Sequence, residues 1–447
     1  MSCKASKFNY IFNAEDGTAL AFNATTSGLA KLVPEKAKIV HQILADPNGY
    51  KFDTAEKKDI KEKLLQGRFL VEAKEDEIGR LKVRNRLDRF SSQSFGLTIA
   101  PTLACNFRCK YCYETAKPGV MKPAVEKAMV AMVKNRMQTA KMLSITWFGG
   151  EPLLALKTIG RLTGRFKAIC KKNKAQYIAS IVTNGYLWDR PTARKLKRWG
   201  VNNVQITLDG PKDIHDQRRP LAGGRGSYER IMQNISQTHD IIPINVRVNT
   251  DKTNADRVLE LMDDIKKRGL QEKVKVYFAQ VETYTDACTN ISGSCYSSQE
   301  YSALEVGLYR QAIAKGFGIT RYPRPILGGY CTADRVSALV VAPNGLLFKC
   351  WNQISGERSE AVGDLLDKTM DPEHQANNEE WLAWDPFEKK ECVDCSILPL
   401  CMGGCPYNAK RFTKSQDKGH CASWKYHLQD MLNLTYLGQP SSSSAKK

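Results

Sequence analysis

Three cysteines within eight residues, Cys105, Cys109 and Cys112, form a C-x3-C-x2-C loop directly after an apolar, strand-like run at residues 95–100. Clustered cysteines in a chain this long bind metal more readily than they pair as disulfides. Seven further cysteines fall between Cys331 and Cys421, which leaves only Cys3, Cys170, Cys288 and Cys295 outside the two groups. Thiolates are the ligands of iron-sulfur clusters, and a [4Fe-4S] cube normally takes four of them. Three leave one iron open, and an open iron can chelate a substrate. A zinc knuckle is the competing reading, but structural zinc is closed by four ligands and the loop supplies three.

The chain has 447 residues, 42% of them hydrophobic, enough for one large domain and one or two smaller ones. No apolar run reaches the roughly 18 residues of a membrane span, and the first residues, MSCKASKFNY, lack a signal-peptide core, so a cytoplasmic protein without a membrane partner is expected. The formal charge of +20 raises nucleic acid as a partner. The lysines are instead spread along helical stretches such as Lys57 to Lys63, not interleaved with aromatics on a strand face, so no nucleic-acid role is expected. An acidic peptide or a merely solvated basic surface fits the same charge.

Three short strand patterns, Phe8 to Phe12, Ala19 to Asn23 and Ala30 to Val33, precede helical patterns at Pro34 to Ala45 and from Asp53 to Gly67. A charged helical connector follows at Asp76 to Arg89. Strands are then expected at 95–100, 143–148, 177–182, 203–208, 243–249 and 273–280, separated by helical patterns such as Ala124 to Met137 and Val258 to Arg268. Six strands alternating with helices make an α/β fold with a parallel sheet or barrel, in which reactive groups collect at the carboxyl ends of strands. After about residue 285 the alternation stops and a Gly, Pro and Cys-rich segment takes over.

The C-x3-C-x2-C loop, with the aromatic Tyr111 before its last cysteine, resembles the signature of the radical S-adenosylmethionine (SAM) superfamily. Gly149, Gly150, Glu151 and Pro152 follow a strand and resemble the stretch that holds the SAM amino group; Thr183, Asn184 and Gly185 resemble the stretch near the ribose. Leu208-Asp209-Gly210 and the segment from His215 to Arg219 resemble the next conserved region, where an arginine, Arg219 or alternatively Arg218, meets the SAM carboxylate. Arg247 and Asn249 fall where the family approaches the nucleoside. The resemblance implies reductive cleavage of SAM to a 5′-deoxyadenosyl radical, cofactor chemistry that the protein orients.

Downstream, Cys331-x13-Gly345-x4-Cys350, then Cys392-x2-Cys395-x5-Cys401-x3-Cys405 and Cys421, resemble the SPASM domain of enzymes that modify peptides and proteins. That resemblance implies two auxiliary [4Fe-4S] clusters, one on Cys331, Cys350 and Cys405 and one on Cys392, Cys395, Cys401 and Cys421, for three clusters in all. The first auxiliary set is one ligand short; Cys288 or Cys295 could close it, or the iron stays open. A zinc ribbon at Cys392 to Cys405 is the alternative, and it leaves Gly345 and its partner cysteines unexplained.

The strand and helix module at the start resembles a RiPP recognition element, a winged-helix-like fold that would bind a precursor-peptide leader along Leu29 to Val33 and Ala37 to Ala45. A dimerisation or packing module is the plainer reading. The expected order is a recognition module and connector at 1–90, a partial (β/α)6 radical SAM barrel at 91–285, a bridge at 286–330, a Cys-rich SPASM domain at 331–436 and a disordered tail at 437–447. This order is similar to thioether-forming peptide maturases of the sactipeptide and ranthipeptide group. It implies as partners a leader-bearing precursor peptide and a flavodoxin- or ferredoxin-like electron donor. Carbon-to-carbon cross-linking and formylglycine formation are the alternatives. Sulfatase-maturating enzymes carry an aspartate base after the cysteine that matches Cys350, whereas this chain has Trp351.

Overall fold

Apolar residues at every second position make strands with one face for helices and one for a barrel interior, and six such strands lie side by side in chain order. The computed structural model describes residues 2–318, 321–328, 331–367, 369, 371–411 and 421–438, so most of the expected tail lies outside the described residues. The N-terminal strands are β1 (Cys3–Ala5), β2 (Asn9–Asn13), β3 (Ala19–Asn23), β4 (Gly28–Leu32) and β5 (Leu70–Glu72). The barrel strands are β6 (Ser94–Ile99), β7 (Met142–Trp147), β8 (Gln176–Thr183), β9 (Val201–Thr207), β10 (Ile244–Thr250) and β11 (Val274–Gln280), all pairing in parallel. Each matches an expected strand to within a few residues.

On β10, Ile244, Val246 and Val248 are buried beneath helices, while Asn245 and Arg247 face the interior beside Lys275 and Tyr277 of β11. The crossover helices bury the matching stripe, as with Ile159, Leu162, Phe166 and Cys170 on the helix Leu156–Lys172. Asp189 caps the helix Arg190–Arg198 by accepting from the Thr192 amide at 2.9 Å.

The sheet does not end with the sixth strand. After residue 285, β12 (Ala338–Val341) adds in parallel to β6, with Ala338 beside Gly96 and Val341 beside Ile99, and β13 (Leu346–Phe348) and β14 (Gly363–Asp364) extend it antiparallel to nine strands. Gly345 closes the β12 to β13 turn at φ +101°, a left-handed conformation suited to glycine. That turn explains the spacing from Cys331 through Gly345 to Cys350: a hairpin returns the chain so that Cys350 follows β13.

At the N-terminus β2, β3 and β4 form an antiparallel sheet, and β1 pairs with β5. Strand alternation splits β3 between two cores: Ala21 packs with Val40, Ile43, Ile60 and Leu64, whereas Phe22 joins the large core of the barrel. The expected connector, helix Glu77–Arg89, buries Glu77, Leu81, Asn85 and Arg89, a stripe at every fourth position. Arg89 donates to the Asp334 carbonyl at 2.9 Å and to the Leu382 carbonyl at 3.0 Å, pinning this helix to the Cys-rich segment.

Candidate active site at the carboxyl ends of the barrel strands

The three-cysteine loop leaves β6 and is held by the end of β7. Gly149, at φ +104°, and Gly150 lie flat against that loop: a Cβ on Gly149 would stand 2.5 Å from the Thr102 carbonyl oxygen, and one on Gly150 2.4 Å from that of Ala104. The Gly150 amide donates to Thr102 O at 3.3 Å and the Glu151 amide to Ala104 O at 2.9 Å. Glycine is needed here because the cysteine loop's backbone occupies the space a side chain would fill.

Glu151 is fully buried and accepts from the Leu153 amide (3.0 Å), the Thr183 hydroxyl (2.8 Å) and the Asn184 amide (2.8 Å). It ties the end of β7 to the end of β8. Burial raises its carboxyl above the usual range, opposed by these donors and by Arg219. Asn184 in turn donates to Asn106 in the cysteine loop at 2.7 Å.

Tyr111, between Cys109 and Cys112, is the hub. Its hydroxyl donates to Asp209 (2.5 Å) and accepts from Arg219 (2.6 Å) and Asn249 (3.0 Å), joining the loop to the ends of β9 and β10. Arg218 is held by Asp251 through two 2.9 Å contacts and by Asp209 at 3.4 Å. Arg219 keeps a buried Nε without a hydrogen-bond partner, and its charge lowers the proton affinity of Cys105, Cys109 and Glu151. Arg218 Nη2 is likewise buried without a partner, but Arg218 is neutralised by Asp251 and Asp209, whereas the charge acting most strongly on Arg219 is that of Cys109, so Arg219 is the arginine that faces the cysteines. Arg247 donates to Asn249 at 2.7 Å from the interior face of β10.

The three thiols act electrostatically on one another, and burial, with smaller contributions from Glu151 and Cys109, pushes the Cys105 thiol up to about 11. Metal binding there must therefore release protons. Among the described residues no group of three or more Cys, His, Asp or Glu side chains is placed to hold a single metal ion. With the partnerless Arg219 Nε and the glycine cradle, the residues fit a three-thiolate cluster next to an anionic ligand. These are the residues that would hold a [4Fe-4S] cube and SAM.

The C-terminal cysteines separate into two sets. Cys392, Cys395, Cys401 and Cys421 line one cavity of about 150 Å³. Cys331, Cys350 and Cys405 influence one another, with burial pushing Cys331 up to about 12. Cys295 instead feels Cys288, and the Cys288 thiol donates to the Thr285 carbonyl at 3.1 Å.

A chamber of about 730 Å³ lies between the barrel and this segment, lined by Arg247, Lys275 and Tyr277 on one side and Cys405 and Cys421 on the other. A second cleft of about 510 Å³ shares Tyr284 with it and is walled by Tyr113, Tyr407 and Trp381. Asn352 is buried in its wall with an unpartnered side-chain oxygen. Sequence reasoning did not find Asn106, Asp251 or the Tyr111 hydroxyl as parts of this site; their partners are distant in the chain, and only Tyr111 carried a signal, its place in the cysteine motif.

A family profile described as the radical SAM superfamily matches residues 99–287. A serine-type anaerobic sulfatase-maturating enzyme of Klebsiella aerogenes is 24% identical over 327 residues, spanning 68% of this chain and 77% of that protein. Radical SAM cyclopropyl synthase TigE of Paramaledivibacter caminithermalis is 21% identical over 469 residues, spanning 96% of this chain and 95% of that one. The crystal structure of Streptococcus suis SuiB bound to precursor peptide SuiA shares the fold with a TM-score of 0.51 at 14% identity, covering 94% of this chain and 98% of SuiB. No helix among the described residues is long and apolar enough to cross a membrane. With their cysteine loop, glycine cradle and arginine gathered at the strand ends of a parallel barrel sheet, residues 99–287 of this chain form a radical SAM domain.

Proposed function

We propose that this enzyme cross-links a ribosomally made precursor peptide, forming a thioether between a cysteine sulfur and a carbon of the same peptide. The observation that carries the reading is the chamber at the barrel mouth, where Cys405 and Cys421, one from each C-terminal cysteine set, line the wall opposite Arg247 and Tyr277. Auxiliary clusters on those sets would stand beside a substrate held at the barrel. The relatives, a sulfatase-maturating enzyme and a protein whose structure holds a precursor peptide, support a peptide or protein substrate.

A cluster on Cys105, Cys109 and Cys112, when bound, supplies the electron that cleaves SAM to methionine and a 5′-deoxyadenosyl radical. The chain's own residues orient SAM: Arg219 toward its carboxylate, the Gly149 to Glu151 backbone toward its amino group, and Thr183, Asn184, Asp209 and Arg247 around the nucleoside. The balance of the cross-link is one hydrogen atom taken from a peptide carbon, one proton lost by the cysteine thiol and one electron passed on. An auxiliary cluster held by one of the two cysteine sets that line the chamber would take up that electron.

In this reading residues 1–90 bind the leader. Among the described residues β4 pairs only with β3, which leaves its outer edge for an added peptide strand. The +20 charge favours an acidic leader and an acidic flavodoxin- or ferredoxin-like donor. Formylglycine formation is disfavoured by Trp351, which is exposed and stacks on Phe148 at 5.7 Å, where the sulfatase-maturating pattern has an aspartate base. Coexpression with a cysteine-rich precursor peptide encoded nearby, followed by mass spectrometry, tests the proposal. Loss of two hydrogens per cross-linked cysteine is expected; an unmodified peptide from fully loaded enzyme rejects it.

A further inference from the structure

Lys349 is fully buried, next in sequence to Cys350, and its ammonium donates to the carbonyls of Arg335 and Ala338, the latter at 3.0 Å. Both carbonyls lie on the segment that runs from Cys331 into β12. Asp334 and Arg89, each almost wholly buried, complete the surround: the Asp334 carboxylate accepts from the Cys331 amide at 3.2 Å, and Arg89 lies 3.9 Å from it. Lys349, whose charge acts on Cys331, and Arg89 therefore outnumber Asp334 among the buried charges beside Cys331, in a region closed to water.

Burying an ammonium forfeits its hydration, and a neutral donor would tie the same carbonyls together. A charge kept at that cost acts on something anionic. Three thiolates around an iron-sulfur cube give a centre whose negative charge grows on reduction, and cluster potentials respond to nearby charge and hydrogen bonds. Resting on the auxiliary-cluster reading above, we infer that Lys349 sets the reduction potential of the cluster on Cys331, Cys350 and Cys405, holding it high enough to accept an electron. Lys349 touches neither substrate nor SAM in this scheme; it acts through the cluster, with Asp334 acting in the opposite sense.

The test is a redox titration of the reconstituted holoenzyme at pH 7, followed by electron paramagnetic resonance. The relevant midpoint is the one missing from Cys350→Ala. In Lys349→Met that midpoint moves negative, in Lys349→Arg it stays, and in Asp334→Asn it moves positive. Equal shifts in Lys349→Met and Lys349→Arg, or no shift in Lys349→Met at full iron content, overturn the inference. Where Lys349→Met does not fold, Asp334→Asn decides, and a midpoint that holds still or falls overturns it. A wild-type holoenzyme with about eight irons per chain instead of about twelve removes the cluster reading, and this inference with it; full iron with an unmoved midpoint removes the inference alone.

Discussion

Gly150→Ala isolates the contact between the Gly-Gly turn and the cysteine loop. The backbone of Gly150 lies outside the left-handed region, so alanine is conformationally allowed and the effect is steric. The new Cβ would stand 2.4 Å from the Ala104 carbonyl oxygen and 2.6 Å from that of Leu103. Both are backbone atoms at the entry to Cys105, and they must retreat by roughly 1 Å to reach ordinary contact. Overpacking of this kind costs about 1–3 kcal/mol, or roughly 2–4 °C of melting temperature per kcal/mol in a domain of about 200 residues. The same displacement moves the cluster loop relative to the SAM cradle, and a misplacement of about 1 Å lowers a rate by about 100-fold. Gly164→Ala is the control: it lies in the helix Leu156–Lys172 with open space around its Cβ, and alanine there gains up to about 1 kcal/mol. The assays are thermal melting, iron content and 5′-deoxyadenosine formation under anaerobic conditions. A Gly150→Ala protein with unchanged melting, full iron and SAM cleavage within a few-fold of wild type would refute the steric argument.

The two arginines should separate cleanly. Arg219→Gln removes a charged donor from the SAM carboxylate and weakens SAM binding by about 1.5–3 kcal/mol, measured by calorimetry, whereas Arg218→Gln leaves Asp251 buried without its cation and destabilises the fold by about 3–5 kcal/mol, measured by denaturant titration. Cys392→Ala should lower iron by about four per chain and abolish the cross-linked product on mass spectrometry while SAM cleavage persists. His215 is fully buried, and burial, then the charges of Arg219 and Arg218, hold its imidazole well below its usual pKa. The unfolded chain binds that proton more readily, so stability is intact above pH about 6.5 and falls below it by up to about 1.4 kcal/mol per pH unit; His215→Gln should flatten that acid limb in denaturation curves collected across the range.

The sequence made the barrel legible because its strands alternate apolar and polar positions between helical patterns, and three of them, β7, β8 and β9, end at glycine turns. What escaped notice was short or long-range. β1 and β5 have three residues each, too few for a period, and β12 has four, so its place beside β6 was invisible in a loop-rich segment. The buried side of helix Glu77–Arg89 was masked by polar residues, although Glu77, Leu81, Asn85 and Arg89 recur at every fourth position. In the site, cysteine spacing singled out the loop and strand-end position the glycines. The split between Arg218 and Arg219 depends on Asp251, more than thirty residues away, and could be read only once the ends of β9 and β10 were together.

The central claim is a cluster held by three side chains with one iron left for SAM. Electron-nuclear double resonance on the reduced enzyme, with SAM labelled at its carboxylate oxygen and amino nitrogen, tests it most directly. Hyperfine coupling of both labels to the cluster on Cys105, Cys109 and Cys112 is the predicted result. Zinc at those cysteines, or a cluster showing no coupling to either label at saturating SAM, would contradict it.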